Sequence, residues 1–189
     1  MDYVKTREVW DELGRDVTDA ARRQLGTRKI GKNKSYGDAT GTLRRSLTYT
    51  MGTDTVSLSF LAMPPADKYA NFLNYGVNGT EVNRGAPYSM GSKQPPRDAI
   101  LSWMKAKPVR LRDPVSGNFI KQTPARMNSA AFLIARSIKK KGIHGLFYFQ
   151  RGYDAIAPDY ETKIMDSLAF DIAESMVTAL GGTDLTQAT

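Results

Sequence analysis

Apolar residues recur at helical spacing in five stretches of the chain, and these stretches predict its main helices. The predicted helices cover residues 3–26, 66–75, 95–107, 124–141 and 159–180. Glycine follows most of them directly, as expected for a residue that adopts the left-handed C-terminal conformation without strain. Lys107-Pro108 ends the third stretch instead, because proline cannot continue a helix.

The two longest predicted helices carry apolar stripes that indicate which of their faces are buried. In the first, the stripe consists of Tyr3, Trp10, Leu13, Val17, Ala20 and Ala21. In the last, it consists of Ile164, Leu168, Ala169, Ile172, Ala173 and Met176. Because residues three and four apart lie on one side of a helix, we expect both stripes to face the core.

Alternating apolar and polar positions predict the strands. Residues 46–61 form the clearest β-hairpin, with its turn at 52–54. Residues 108–121 predict a second, projecting hairpin, because a Pro- and Gly-containing turn separates two short polar strands. Residues 146–149 predict a short aromatic strand or extended segment. Residues 42–47 are consistent with either one helical turn or the entry to a strand.

The remaining stretches predict loops and a tail around one domain. Residues 26–40 are basic and glycine-rich with a single large aliphatic side chain, so we expect a mobile loop. Residues 76–94 predict a long loop, and residues 181–189 a flexible tail. The whole pattern predicts a single α+β domain over 1–180. A long N-terminal helix and further amphipathic helices would pack on a small antiparallel sheet, with long projecting loops.

Composition narrows the classes of chemistry. The 189 residues include no cysteine and one histidine, His144, which excludes disulfides, thiolate metal sites and sites that need two imidazoles. The longest purely apolar run, 130–135, is far shorter than a membrane span, and the charged start of the chain does not resemble a signal peptide. We therefore expect a protein of a reducing compartment, without a membrane partner.

The formal net charge of +8 is concentrated in two basic blocks, at 22–45 and 103–141, between acidic ends. The candidate contact residues in these blocks are Arg22, Arg23, Arg28, Lys29, Lys32, Lys34, Arg44, Arg45, Lys139, Lys140 and Lys141. Basic blocks of this kind bind polyanions such as DNA, or pair with acidic surfaces of the same chain or of a neighbouring copy. The sequence does not decide between these uses.

Two local patterns resemble catalytic or phosphate-binding motifs but lack their context. Gly26, Gly31 and Lys32 are spaced almost as in a P-loop, yet Asn33 replaces the required hydroxyl and no buried strand precedes them. His144 has no nucleophile elbow or orienting carboxylate nearby in the sequence, so a structural role is favoured. We expect no catalytic residue, no metal site and no cofactor, and hence no enzymatic activity.

Aromatic residues form two clusters whose role is open to two interpretations. They are Tyr69, Phe72 and Tyr75 in one cluster, and Phe147, Tyr148 and Phe149 in the other. Aromatics beside basic blocks can stack on single-stranded bases. At helical or strand spacing they more often belong to a core or a subunit interface, which we favour here, with Tyr69, Phe72, Tyr75, Phe147 and Phe149 as interface candidates.

Four patterns occur in order along the chain: residues 40–47 (TGTLRRSL), 69–77 (YANFLNYGV), 95–103 (PPRDAILSW) and 131–145 (AFLIARSIKKKGIHG). Together they resemble the tail-completion, or tail-component, family of tailed bacteriophages over roughly residues 1–180. None of the four is diagnostic alone. The loop at 76–94 and the hairpin at 108–121 are longer than in a minimal member of the family.

The resemblance implies a non-enzymatic virion protein of the head–tail junction, assembled in the host cytoplasm. Such a subunit would form a ring with copies of itself, join head to tail as a completion or terminator protein of the neck, and contact other neck and tail proteins. Its lumen would surround DNA without reading the base sequence. The alternative, a non-specific nucleic-acid-binding protein that uses both basic blocks, remains open at this point.

Overall fold

The computed structural model describes residues 3–27, 41–52, 57–106, 109–113 and 115–181, and within them the predicted α+β class is confirmed. The helices are α1 (Val4–Thr27), α2 (Thr42–Ser46), α3 (Asp67–Tyr75), α4 (Arg97–Ala106), α5 (Pro124–Lys141), α6 (Tyr148–Ile156) and α7 (Glu161–Ala179), with a 3-10 turn at Ala157–Tyr160. The strands are β1 (Leu47–Met51), β2 (Leu58–Ala62), β3 (Gly76–Val77) and β4 (Ile143–His144). They form two separate antiparallel pairs, β1–β2 and β3–β4.

Helix α1 is the centre of the fold and buries most of the predicted stripe, although Tyr3 and Trp10 are only half-buried. Leu13, Val17, Ala20, Ala21 and Leu25 are all nearly inaccessible to solvent. Two hydrophobic clusters meet along this stripe, one around Leu25, Leu43, Leu47 and Tyr148, the other around Leu13, Val17 and Tyr160. The fully buried apolar residues, from Leu13 to Leu25, extend over roughly three turns of α1, and this face therefore packs within the subunit.

Helix α6 crosses α1 at close range because the crossing point has no side chain. A Cβ atom on Gly152 would lie 2.8 Å from the backbone nitrogen of Ala21. The sequence analysis missed this helix: residues 146–149 were predicted as a strand or extended segment, and the structure instead begins α6 at Tyr148. The short run of aromatics carries no periodicity that separates strand from helix.

The β1–β2 hairpin confirms the first predicted hairpin and packs on α1. Its register pairs Leu47 with Ala62, Tyr49 with Phe60 and Met51 with Leu58, so these alternating apolar residues share one face. The ring of Tyr49 covers Gly14 of α1, and its hydroxyl donates to Asp11 at 2.8 Å. The residues before the hairpin, 42–46, take the helical alternative. The predicted turn residues 53 and 54 lie outside the described residues.

Helix α7 caps the N-terminus of α1 from the far end of the chain. The buried carboxylate of Asp171 accepts hydrogen bonds from the backbone N–H groups of Lys5 at 3.0 Å and Thr6 at 2.8 Å, and from the Thr6 hydroxyl at 2.6 Å. These are among the first N–H groups of α1, which have no acceptor within the helix. A negative charge there also interacts favourably with the positive end of the helix dipole.

The predicted inward face of α7 is wrong at four of its six positions. Ile164 and Leu168 are half-buried as expected, but Ala169 and Ala173 are exposed, and Ile172 and Met176 are 40% and 61% exposed. The fully buried residues of this helix are Ser167 and Asp171. The helix is rotated because Asp171 must reach the end of α1, which turns the apolar stripe outward.

Helices α4 and α5 pack against each other and form an arm. Met104, Ala131 and Ala135 are its buried residues. The hydroxyl of Thr123 caps α5 by accepting from the N–H of Arg126 at 3.3 Å, and Pro124 occupies the first turn. Between α4 and α5, a single antiparallel bridge joins Arg112 to Phe119 at the predicted projecting hairpin.

Candidate interaction surfaces

Two of the four sequence patterns, residues 69–77 and 131–145, meet at a tight crossing of backbone. The crossing joins the end of α3 and β3 to the end of α5 and β4. A Cβ on Gly76 would lie 2.5 Å from the nitrogen of Gly145, and one on Gly142 would lie 2.1 Å from the oxygen of Val77. Both glycines also have positive φ, at 83° and 69°. Only glycine fits this contact, which fixes the arm to the body of the protein.

Asn74 holds this crossing together, and the sequence analysis did not single it out. Its side chain is buried, and its Oδ1 accepts from the N–H of Phe149 at 3.3 Å. Its backbone oxygen accepts from the N–H of Phe147 at 2.8 Å. A polar residue at a position of α3 that helical spacing assigns to the buried face was the available signal, since a buried amide requires partners.

The long loop predicted at 76–94 is organised by the side chain of Asn78. Its Oδ1 accepts from the N–H groups of Arg84 at 2.8 Å and Ala86 at 3.0 Å, and its Nδ2 donates to the oxygen of Ala86 at 2.7 Å. The backbone of Asn78 also exchanges two hydrogen bonds with Tyr88 and Met90. The side chain and backbone of this one asparagine thus supply the hydrogen bonds that hold residues 84, 86, 88 and 90 of the loop in place.

The three lysines at the end of α5 contact this loop through their backbone oxygens, and two of them also through their ammonium groups. The N–H groups of Thr80 and Glu81 donate to the oxygens of Lys139 and Lys140, both at 2.9 Å. The ammonium of Lys139 donates to the oxygen of Ser92, and that of Lys140 pairs with the carboxylate of Glu81. Lys141 is exposed, and its backbone oxygen accepts from Arg84.

His144 also faces the loop. The guanidinium of Arg84 contacts its Nε2, at the exposed edge of β4. The guanidinium can only donate, so its N–H is the donor of this contact and Nε2 is the acceptor. That His144 is a structural or incidental histidine stays a prediction.

The described members of the first basic block lie around α1 and α2. Arg22 is tied into the fold: its guanidinium pairs with Asp19 at 2.8 Å and donates to the oxygen of Leu47 at 2.8 Å. Arg23, Arg44 and Arg45 are exposed. The other members, Arg28, Lys29, Lys32 and Lys34, fall outside the described residues, as do most of the predicted loop 26–40 and all but the first residue of the tail 181–189.

The interface candidates among the aromatics divide into exposed and packed residues. Tyr69, Phe72 and Tyr75 on α3 and Phe147 before α6 are each 37–45% exposed. Phe72 meets Tyr88 of the loop edge to face, with 4.8 Å between ring centroids. Phe149 instead packs on the core and on Phe60.

The buried tyrosines have perturbed hydroxyl groups. Burial raises the pKa of Tyr148, whose hydroxyl donates to the oxygen of Ala70 at 3.2 Å. Burial, and then the hydrogen bond to Asp16 at 2.6 Å, raise the pKa of Tyr160. Both groups are therefore protonated donors that support the fold at neutral pH.

Two apolar surfaces are left open to solvent; the first was predicted to face the core, and the second was not predicted. One is the outward stripe of α7. The other is on the arm, where Phe132 and Leu133 are 43% and 61% exposed beside an open groove of about 350 Å³ lined also by Arg97, Asn128 and Ser129. Exposed apolar stripes of this size mark contact surfaces more often than isolated exposed residues do.

The described residues contain neither a candidate metal site nor a candidate membrane span. There, no group of three or more acidic or histidine residues is placed to hold a metal ion. Within the same ranges, no helix is both long and apolar enough to cross a bilayer.

Comparison of the chain with protein-family models, with curated proteins and with solved structures finds no match.

Proposed function

We propose that this chain is a structural subunit of the head–tail junction of a tailed bacteriophage. It forms a ring with copies of itself, joins other neck and tail proteins, and surrounds the path of the DNA. The family assignment rests on the four ordered sequence patterns at 40–47, 69–77, 95–103 and 131–145. The single structural observation that supports an assembly role is the pair of open apolar surfaces, on α7 and on the arm.

The placement of the four patterns agrees with a structural role. The first leads into the β1–β2 hairpin, the second and fourth form the glycine crossing, and the third forms α4 of the arm. Each pattern therefore maintains the shape of the subunit and the position of the arm. A ring requires subunits of identical shape, because every subunit must present the same two faces.

A second candidate function, non-specific nucleic-acid binding, is favoured by one observation on the projecting hairpin. The guanidinium groups of Arg110 and Arg112 lie 5.3 and 4.3 Å from the ring centroid of Phe119, which is 55% exposed. Arginines beside an exposed aromatic ring provide phosphate contact and base stacking together. In a ring, this hairpin would be a candidate for the DNA-facing side.

The proposed function is tested on purified particles of the phage that carries the gene. Mass spectrometry and cryo-electron microscopy should find the chain in the particle, as a ring between head and tail. Absence of the chain from infectious particles would contradict the proposal.

The two uses of the basic block are separated by charge reversal at Arg28, Lys29, Lys32 and Lys34. If these residues serve the ring, the variant should lose assembly and keep its affinity for DNA. Loss of a steeply salt-dependent DNA affinity, with assembly intact, would favour the nucleic-acid function.

A further inference from the structure

The outward face of α7 is a continuous apolar stripe. Met165, Ala169, Ile172, Ala173 and Met176 are all exposed, and their spacing places them on one side of the helix. The stripe extends over about three helical turns, or roughly 16 Å at ~1.5 Å per residue. A surface helix of a free-standing monomer would carry polar residues here.

The hydrogen bonds of Asp171 to α1 keep the stripe exposed. They oppose a rotation of α7 that would turn the stripe toward the core of the same subunit. Turning it inward would withdraw Asp171 from the N–H groups of Lys5 and Thr6. Those donors and the carboxylate would then lose their partners in the interior, at a large cost. The helix therefore keeps its apolar side available to another molecule.

The charges around the stripe define the chemistry of that molecule. Exposed carboxylates of Glu161 and Asp166 flank the N-terminal half of the stripe. Lys163 lies on another side of the helix, near Glu12 at 3.8 Å and over the ring of Tyr160. An acidic, apolar surface repels nucleic acid and fits a partner that is basic and apolar.

The arm of the same chain has these properties. Phe132 and Leu133 are exposed on α5, and the groove beside them is lined by Arg97 of α4. Arg136, one turn beyond Phe132, is also exposed. Two apolar side chains between arginines complement an apolar stripe between carboxylates in both hydrophobicity and charge.

We propose that the α7 stripe of one subunit packs on the α4–α5 groove of the next copy of the chain. The contact rests on the ring proposed above and names its two faces. It is head-to-tail, since the two faces differ, and a repeated head-to-tail contact closes into a ring when its rotation permits. A two-fold contact between two α7 helices would leave the arm uncovered.

The test uses two variants that each destroy one face. Met176→Glu places a charge in the α7 stripe, and Leu133→Glu places one beside the groove. Sedimentation velocity should show concentration-dependent assembly of the wild type and a monomer for each variant, with affinity at least roughly 30-fold weaker. Met63→Glu is the matched control: Met63 is 52% exposed at the end of β2, and this variant should assemble like the wild type.

Mixing the two variants gives the decisive result. The Leu133→Glu chain keeps an intact α7 stripe and the Met176→Glu chain keeps an intact groove, so the mixture should form a one-to-one dimer that cannot grow. Circular dichroism and thermal melting of each variant establish that it is folded.

Several results would overturn the contact. They are a monomeric wild type at high concentration, assembly of either variant like the wild type, or a mixture that stays monomeric. Rings that form in both variants would refute this contact and leave the proposed function standing. Absence of the chain from phage particles would refute the function, while the mixing experiment would still decide the contact.

Discussion

The two long helices α1 and α7 carry similar apolar stripes and use them in opposite ways. Helix α1 buries its stripe within the subunit, down to the complete burial of Val17 and Ala21. Helix α7 buries Ser167 and Asp171 and leaves Met165 and Met176 more than 60% exposed. A periodic stripe therefore identifies the apolar side of a helix, whereas tertiary contacts decide what covers that side.

The largest effect is expected from a charge in the stripe of α1. Val17→Glu puts a carboxylate into a fully buried site in the apolar cluster of Leu13 and Tyr160. We expect a loss of about 4 kcal/mol or more in the free energy of unfolding, since the buried charge adds to the lost packing. Urea unfolding followed by circular dichroism measures it, and a loss below about 1 kcal/mol would contradict the assigned core.

The next effect concerns the contact that rotates α7. In Asp171→Asn, an amide replaces the charged acceptor of three hydrogen bonds from Lys5 and Thr6, so we expect a loss of about 1.5–3 kcal/mol in unfolding free energy. Amide exchange of the first turn of α1 should also accelerate. Asp166→Asn, at an exposed position of the same helix, is the control and should leave both measurements unchanged.

The close crossing of α1 and α6 is tested by one methyl group. Gly152→Ala adds a Cβ 2.8 Å from the backbone of Ala21, so the two helices must separate. Overpacking of this kind costs about 1–3 kcal/mol, partly offset by the better helix propensity of alanine. In Gly91→Ala the added Cβ meets nothing within 4 Å, and its melting temperature should match that of the wild type.

A smaller effect is expected at high pH from Tyr160, which packs against Leu13 and Val17 of α1. Its folded pKa is raised above the ordinary value, so its contribution is complete below about pH 10 and is lost as pH rises toward the folded pKa. Unfolding free energy should therefore fall less steeply above pH 10 in Tyr160→Phe than in the wild type. Tyr153→Phe, at an exposed residue of α6, should retain the wild-type slope.

Much of the fold follows from the sequence because local pattern and burial coincide there. The stripe of α1, the alternation of the β1–β2 hairpin and the glycine ends of α3 and α5 each appear in the chain as a recognisable signal. Helix α6 was missed because its first residues form an aromatic run without periodicity. The orientation of α7 was not predicted because its cause, the hydrogen bond that the Thr6 N–H donates to Asp171, joins residues far apart in sequence.

The candidate surfaces were only partly predictable for the same reason. In the sequence, the lysines of α5 belong to a basic block. In the structure, the ammonium groups of Lys139 and Lys140 contact the loop at 76–94, which was predicted as a separate feature. Asn74 and Asn78 hold backbone from distant segments, and their roles depend on contacts that no local pattern encodes. The open stripe of α7 becomes visible only in the fold, where the described residues leave it exposed.

Whether the α7 stripe serves a partner or the subunit core is decided by the unfolding free energy of Met176→Glu. It should be measured beside Val17→Glu at a concentration where the wild type is monomeric, because assembly stabilises the folded state. We predict that Met176→Glu stays within about 0.5 kcal/mol of the wild type, as for an exposed position. A loss of several kcal/mol, comparable to that of Val17→Glu, would show that the stripe is part of the core and contradict the account.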